Sequence, residues 1–179
     1  DVIDVLLLHR PDPLMDPAAT GACLDELVQA GKIRAAGVSN FTPWDWTLLQ
    51  SHMQTPLVTN QVELSLLATA PLTDGTLAQA QVAKAPPMAW SPLGGGALFG
   101  NGAAAQRLRP ALNRLAELHG VDIDAVAVAW LLAHPARIVP VMGTNNLSRV
   151  AKLADAFKVE IKRETWFELL ELAVGHEVA

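Results

Sequence analysis

Four apolar runs in this sequence finish on side chains that can hydrogen-bond. "VIDVLLLHRP" stops at His9 and Arg10, "KIRAAGVSN" at Ser39 and Asn40, "LVTNQVEL" carries Asn60, Gln61 and Glu63, and "PPMAWSP" closes on Ser91 after Trp90. The set is poor in hydrolytic chemistry. Ser39 and Ser91 lack a nucleophile-elbow sequence, and Asp12 and Asp16 stand among prolines with no evident base relay. Metal chemistry is no better served, because His9, His52, His119, His134 and His176 are dispersed, without HxH or HExxH spacing, and no metal site is expected. What remains is amides, hydroxyls, one imidazole and one indole, a set suited to a planar ligand that itself carries an amide. Each residue alone also has a plain structural reading. Strands must end, Ser39 and Asn40 beside Pro43 can cap a helix, and His52, His119 and His134 suit helix C-terminal ends, where a negative dipole favours them.

The elements that must position these groups alternate. Ile3 to Leu8 reads as a parallel strand covered on both faces, since its apolar run shows no polar alternation. Asp16 caps a helix from Pro17 whose apolar face includes Cys23, Leu24, Leu27 and Val28, and Gly31 stops it. "KIRAAGVSN" is a second strand, Thr42 and Pro43 open a helix to about Ser51, and "LVTNQVEL" is a third strand. The cycle continues with a helix in "DGTLAQAQVAKA", a short strand in "PPMAWSP" and the glycine-rich loop "LGGGALFGNG". "AQRLRPALNRLAELHG" is helical with a proline that marks a kink or a new start, and Asp122 or Asp124 caps "AVAVAWLLAH". "RIVPVMG" is the last strand and "NNLSRVAKLADAF" its helix. A closing amphipathic helix in "KRETWFELLELAVG" presents Trp166, Phe167, Leu169, Leu170 and Leu172 for packing. Five βα repeats require a mainly parallel sheet, either open and doubly wound or part of a closed barrel. The C-terminal strand ends of such a sheet gather on one face, where binding and chemistry concentrate. No tight GxGxxG fingerprint follows a strand, which weakens the usual dinucleotide-fold alternative.

Composition narrows the function. At 179 residues and 51% hydrophobic content the chain can bury the core of one domain, and a formal charge of -5 with no Arg/Lys cluster offers nothing to a nucleic-acid backbone. No apolar stretch reaches the roughly 18 residues of a membrane span, and no signal peptide precedes Asp1, so no membrane partner is expected. Cys23 is the single cysteine, so no internal disulfide forms; a reducing, cytoplasmic location is expected, and a periplasmic protein without disulfides would have the same count. The chain holds five tryptophans and no tyrosine.

Taken together, "DVLLLHRPDP", "AGKIRAAGVSNF", "TNQVELSLL", "MAWSPLGGG", "IVPVMGTNNLSRV" and "RETWFELLELAVGHEV" resemble the second half of an aldo/keto reductase of the bacterial oxidoreductase subgroup. They stand in the family's order, and "GKIRAAGVSNF" is the sharpest piece. The resemblance implies an α/β fold, the (β/α)8 TIM barrel, with residues 1–179 covering approximately strands 4 to 8 and the C-terminal helix as one portion of a single barrel domain. It further implies hydride transfer between NADP(H) and an aldehyde or ketone, a small-molecule carbonyl substrate, and a monomer. By similarity Ser39, Asn40 and Gln61 would hydrogen-bond the nicotinamide carboxamide, and Trp90 would stack on that ring. Ser91, Leu93 and Gly95 would meet the pyrophosphate, and Gly143, Thr144 and Arg149 would lie near the adenosine end. His9 matches the family's catalytic histidine, which orients the carbonyl.

Two departures qualify this. Where many relatives place a lysine before the Ser/Thr of the adenosine 2′-phosphate motif, this chain has Gly143, so NADP preference is less secured and NAD(H) is an alternative cofactor. The family's tyrosine, lysine and aspartate have no counterpart here, and their strands would precede Asp1. The expectation is a C-terminal portion of a full reductase whose 179 residues alone have negligible carbonyl reductase activity, with an unpaired sheet edge where earlier strands belong. The competing reading is a catalytically inactive nicotinamide-cofactor-binding or regulatory barrel protein. The glycine-, alanine- and leucine-rich loops, "LFGNGAAAQRLRP" above all, suit a small or moderately apolar carbonyl compound rather than a highly charged one.

Overall fold

The structure is a computed structural model that describes residues 1–178. The chain forms two compact units. The first comprises Asp1–Val62 with Pro71–Met88, and the second Glu63–Ala70 with Ala89 onward.

The first unit is built from β1 (Ile3–Leu8), α1 (Pro17–Gln29), β2 (Ile33–Ser39), α2 (Pro43–Gln50), most of β3 (Leu57–Glu63) and α3 (Thr76–Ala83). β1 pairs in parallel with β2, Leu8 opposite Val38, and β2 pairs in parallel with β3, Ser39 opposite Gln61. Each helix starts where its capping chemistry dictates. Asp16 accepts the amides of Ala18 and Ala19 at 2.9 and 3.1 Å, and Thr42 with Asp45 closes a reciprocal capping box around Pro43. The core under the strands gathers Leu24, Ile33, Val38, Trp46, Leu49 and Leu57. Asp25 is buried against the chain that follows α2, where its carboxylate accepts the amides of Gln54 and Thr55 at 2.7 and 2.9 Å and the Thr55 hydroxyl.

Gly37 sets how closely the strands approach. A Cβ there would fall 2.7 Å from Leu7 Cδ2 and 2.8 Å from the Thr59 carbonyl oxygen. Beside it the β2–β3 register slips: Ala36 faces Leu57 but Val38 faces Asn60, so β3 carries one extra residue.

Two expectations fail in this unit. β1 is not covered on both faces, since Ile3 and Val5 are 52% and 43% exposed. Within its unit β1 hydrogen-bonds β2 alone, which leaves an apolar edge open. Cys23 lies exposed instead of on the apolar face of α1. Gly21 and Leu24 take the buried positions, and Gly21 is so close to α2's end that a Cβ would come 2.6 Å from the His52 carbonyl oxygen.

In the second unit, β4 (Met88–Trp90, its last two residues here) leads into a turn-rich segment, Gly94–Phe99. α4 (Ala103–His119), α5 (Ile123–Leu132), β5 (Val139–Pro140), α6 (Leu147–Lys152), a 3-10 segment at Leu153–Lys158 and α7 (Arg163–Val174) follow. α4 runs unbroken through Pro110 and begins at Ala103, ahead of the expected start. β5 is shorter than the "RIVPVMG" expectation because Pro140 offers no amide; the ladder resumes with Val141 N–H on the Ala89 carbonyl at 2.9 Å. The single helix expected over "NNLSRVAKLADAF" is α6 followed by the tighter 3-10 turn.

α7 is locked to this unit by paired contacts. The indoles of Trp130 and Trp166 stack with centroids 4.9 Å apart, and each N–H donates to the other residue's carbonyl at 3.0 Å. Arg107 donates to the last carbonyls of α7, Leu172 and Ala173, both at 2.9 Å. His134 accepts the Ala136 amide on Nδ1 at 3.1 Å, and burial lowers its pKa.

Two stability measurements check these packing arguments. Gly37→Ala is expected to cost about 3 kcal/mol in urea unfolding, because the strand carbonyl it would strike cannot rotate away. For Asp25, burial alone would raise the pKa, but the Gln54 and Thr55 donors outweigh it and the pKa is lowered. Its folded pKa thus lies below the unfolded value of about 3.9, so its stabilisation is present above that value and lost as pH falls through the folded pKa. Asp25→Asn should destabilise the protein at neutral pH by about 2 kcal/mol, and the gap to wild type should narrow on acidification below about pH 4.

Candidate active site

In the first unit the C-terminal ends of three strands meet through hydrogen bonds. The Ser39 hydroxyl donates to the Gln61 carbonyl at 2.8 Å, and the Asn40 amide nitrogen of the backbone donates to the same oxygen at 2.9 Å. The Asn40 side-chain NH2 donates to Ser39 Oγ at 3.0 Å and to the His9 carbonyl at 3.4 Å. Asn40 sits at φ 59°, a left-handed conformation that asparagine tolerates better than most residues, and this breaks β2 at its last residue. His9, Ser39, Asn40 and Gln61 therefore form one connected group. Ser39 is buried, Asn40 and Gln61 are half-buried and His9 is exposed.

Asn60, which the sequence offered alongside Gln61, has a different task. It is 3% exposed, its NH2 donates to the Phe41 carbonyl at 2.8 Å, and its oxygen accepts the Phe41 amide at 3.4 Å. One side chain thus holds both backbone groups of the residue after Asn40. Strand alternation turns Asn60 inward and its neighbour Gln61 the other way.

In the second unit a cleft of about 770 Å³ is lined by every residue there that the sequence singled out: Trp90, Ser91, Leu93, Gly95, Gly143, Thr144 and Arg149. That volume lies within the range of small-molecule sites, roughly 300–1,000 Å³. Part of its lining is a tightly turned, glycine-rich segment. Ser91 turns the chain at φ 49°, its carbonyl accepts the Gly94 amide at 2.7 Å, and Gly94, Gly95 and Gly96 all take positive φ. At Gly95 and Gly96 a Cβ would meet nothing within 4 Å, so these glycines answer to the backbone path and leave its surface bare to a ligand. Opposite, Thr144 Oγ1 accepts the Asn146 amide at 3.2 Å, and Asn146 caps α6, which carries Arg149.

Sequence reasoning missed three charged groups of this cleft. The sequence offers Asp122 or Asp124 as the cap of a helix and gives Lys152 no role, yet all three line the cleft. Asp122 instead accepts Lys152 Nζ at 2.6 Å, and that hydrogen bond raises the Lys152 pKa. The available signal was spacing, since Lys152 follows Arg149 by three residues on a helix. No His/Cys/Asp/Glu group able to hold a metal ion occurs among the described residues.

Strand-end amides and a histidine in one unit, and a cleft lined by glycines in the other, are both carried by the βα repeats of an α/β protein. The family model for the aldo/keto reductase family matches residues 1–173, and the chain belongs to that family. Its fold class is accordingly the (β/α)8 barrel, of which it carries five βα units. It is 59% identical over 179 residues to 6-dehydroglucose reductase of Agrobacterium fabrum, covering 100% of this chain and 60% of that protein. A thermostable aldo-keto reductase crystallised with the inhibitor epalrestat superposes with a TM-score of 0.87 at 28% identity, over 96% of this chain and 60% of the other. The aldo/keto reductase of Klebsiella pneumoniae in complex with NADP and acetate superposes at 0.82 with 26% identity, over 97% and 59%. The chain thus spans about 60% of the length of the curated relative and of these structures.

Asn60→Leu, close in shape, removes both partners of the Phe41 backbone. It should cost about 2 kcal/mol or more in urea unfolding, whereas Gln61→Leu one residue away should cost under about 1 kcal/mol.

Proposed function

We propose that the chain serves an NADP(H)-dependent reductase of aldehydes or ketones, with His9 as the catalytic residue it contributes. The observation that carries this reading is that the seven residues of the second unit that the resemblance assigns to the cofactor, Trp90, Ser91, Leu93, Gly95, Gly143, Thr144 and Arg149, all line one cleft. The residues fit a nicotinamide dinucleotide. Ser39, Asn40 and Gln61 offer the donors and acceptors a carboxamide needs, Trp90 offers a planar face, and Ser91, Leu93 and Gly95 offer bare backbone for a pyrophosphate. Gly143, Thr144 and Arg149 are assigned to the adenosine end, where the guanidinium supplies a charge-assisted contact.

A reduced nicotinamide, when bound, supplies the hydride for the carbonyl carbon. The protein's part is orientation and protons. His9 stands exposed just past β1, and its backbone carbonyl accepts the Asn40 side-chain NH2 at 3.4 Å. It is assigned to hydrogen-bond the substrate oxygen. The family's proton donor is a tyrosine supported by a lysine and an aspartate, and the 179 residues contain no tyrosine. The substrate class is taken from the name of the relative at 59% identity: a sugar carrying an added carbonyl. NAD(H) is the alternative cofactor, and a monomer acting in the cytoplasm is the expected form. No helix of the described residues is long and apolar enough to cross a membrane.

Oxidation of NADPH followed at 340 nm with 6-dehydroglucose and with simple aldehydes tests this reading on two species, the 179 residues alone and a reductase in which a tyrosine-bearing half completes them. Turnover is expected from the second only, and cofactor binding without turnover by that second species would favour an inactive cofactor-binding protein instead. His9→Ala should lower kcat by about 10²-fold or more while leaving the cofactor dissociation constant nearly unchanged. Arg149→Ala should remove most of the preference for NADPH over NADH. Equal dissociation constants for the two cofactors in the parent protein would overturn the NADP assignment.

A further inference from the structure

Lys152 lies three residues beyond Arg149 on α6, and both line the second unit's cleft. Residues at that spacing share a helix face. Arg149 enters no salt bridge among the described residues. Lys152 is held by Asp122, whose carboxylate occupies the N-cap position of α5 yet receives no amide from that helix. Both partners are more than half exposed, at 57% and 59%, so the pair stands in water and exchanges readily. The strand end before α6 brings no cation of its own, because Gly143 stands there.

We propose that Lys152 is a specificity-determining residue: together with Arg149 it grips the ribose phosphate that distinguishes NADPH from NADH, leaving Asp122 to do so. The proposal rests on the cleft being a nicotinamide-cofactor site. A phosphate monoester near neutral pH carries close to two charges and three acceptor oxygens, against one charge on the carboxylate, so it draws Lys152 across. Without Lys152 the same phosphate would face Asp122 and Asp124 with Arg149 as its sole counterion in the cleft. NADH offers no such phosphate and leaves Lys152 on Asp122. Asp122 thereby acts as a competitor that keeps the lysine placed and sets how tightly the phosphate is held.

The test compares dissociation constants of NADPH and NADH, by fluorescence titration of the full chain, in the parent and in Lys152→Met, Lys152→Arg and Asp122→Asn. The parent should favour NADPH. Lys152→Met should cut that preference by about tenfold with NADH binding within about twofold of parent, and Lys152→Arg should restore most of it. Asp122→Asn should tighten NADPH by about threefold and leave NADH unmoved, because a competing charge is gone. Far-UV circular dichroism confirms the fold, and if Lys152→Met fails to fold, the Lys152→Arg and Asp122→Asn arms decide. A parent that binds both cofactors, with a ratio unmoved by Lys152→Met and Asp122→Asn, overturns the Lys152 assignment alone. A parent that binds neither cofactor overturns the reading of the cleft, and this inference with it.

Discussion

A strand that ends at a binding face must hand its last backbone groups to something other than the next strand, and in this chain that task falls to side-chain amides. At the end of β2 the chain turns through Asn40 in a left-handed conformation, and Asn60, buried on β3, takes both the N–H and the carbonyl of Phe41. A buried peptide left without partners would cost a few kcal/mol, so the turn exists only because β3 presents an amide at that register. The register in turn depends on the bulge beside Gly37, where one extra residue of β3 shifts the pairing so that Asn60 meets Val38 and Gln61 meets Ser39. Without that slip, alternation would exchange the inward and outward roles of the two residues. The placing of His9, Ser39, Asn40 and Gln61 as one hydrogen-bonded group follows from it.

The second unit turns its chain by a different device. Three consecutive glycines at positive φ turn the segment after β4, and two of them, Gly95 and Gly96, line the cleft without a Cβ. Rigid helices support it from behind: Arg109 donates to the Phe99 and Gly100 carbonyls at the end of this segment, tying it to α4. The charges are then arranged on the far side, with Arg149 and Lys152 on α6 and two carboxylates at the start of α5. Equal numbers of opposite charges leave this end of the cleft near neutrality, so preference for an anionic group depends on which pairs form and not on net field.

Much of this was legible in the sequence. Strand periodicity, the Asp16 and Thr42 caps and the glycine run located β1 to β4 and α1 to α5, because each rests on local chemistry. What escaped was non-local. Exposure of β1 depends on how many neighbours a strand has, which its apolar run does not reveal and which only the resemblance, through the unpaired edge it implies, anticipates. Burial of Gly21 in place of Cys23 depends on how near α2 comes to α1. The separate tasks of Asn60 and Gln61 depend on a bulge that no residue type announces. Likewise Asp122 had the position and type of a helix cap, but its carboxylate lies on Lys152, 30 residues away in sequence.

The central claim is that amides of the first unit serve the nicotinamide and that the second unit's cleft serves the adenosine phosphate. Two-dimensional NMR of side-chain amide and guanidinium groups, recorded during titration with NADP and separately with adenosine 2′,5′-bisphosphate, tests it most directly. NADP should shift Asn40 and Gln61 together with Arg149, whereas the bisphosphate should shift Arg149 and leave Asn40 and Gln61 in place. Shifts of Asn40 and Gln61 with the bisphosphate, or no shift of either group with NADP, would contradict it.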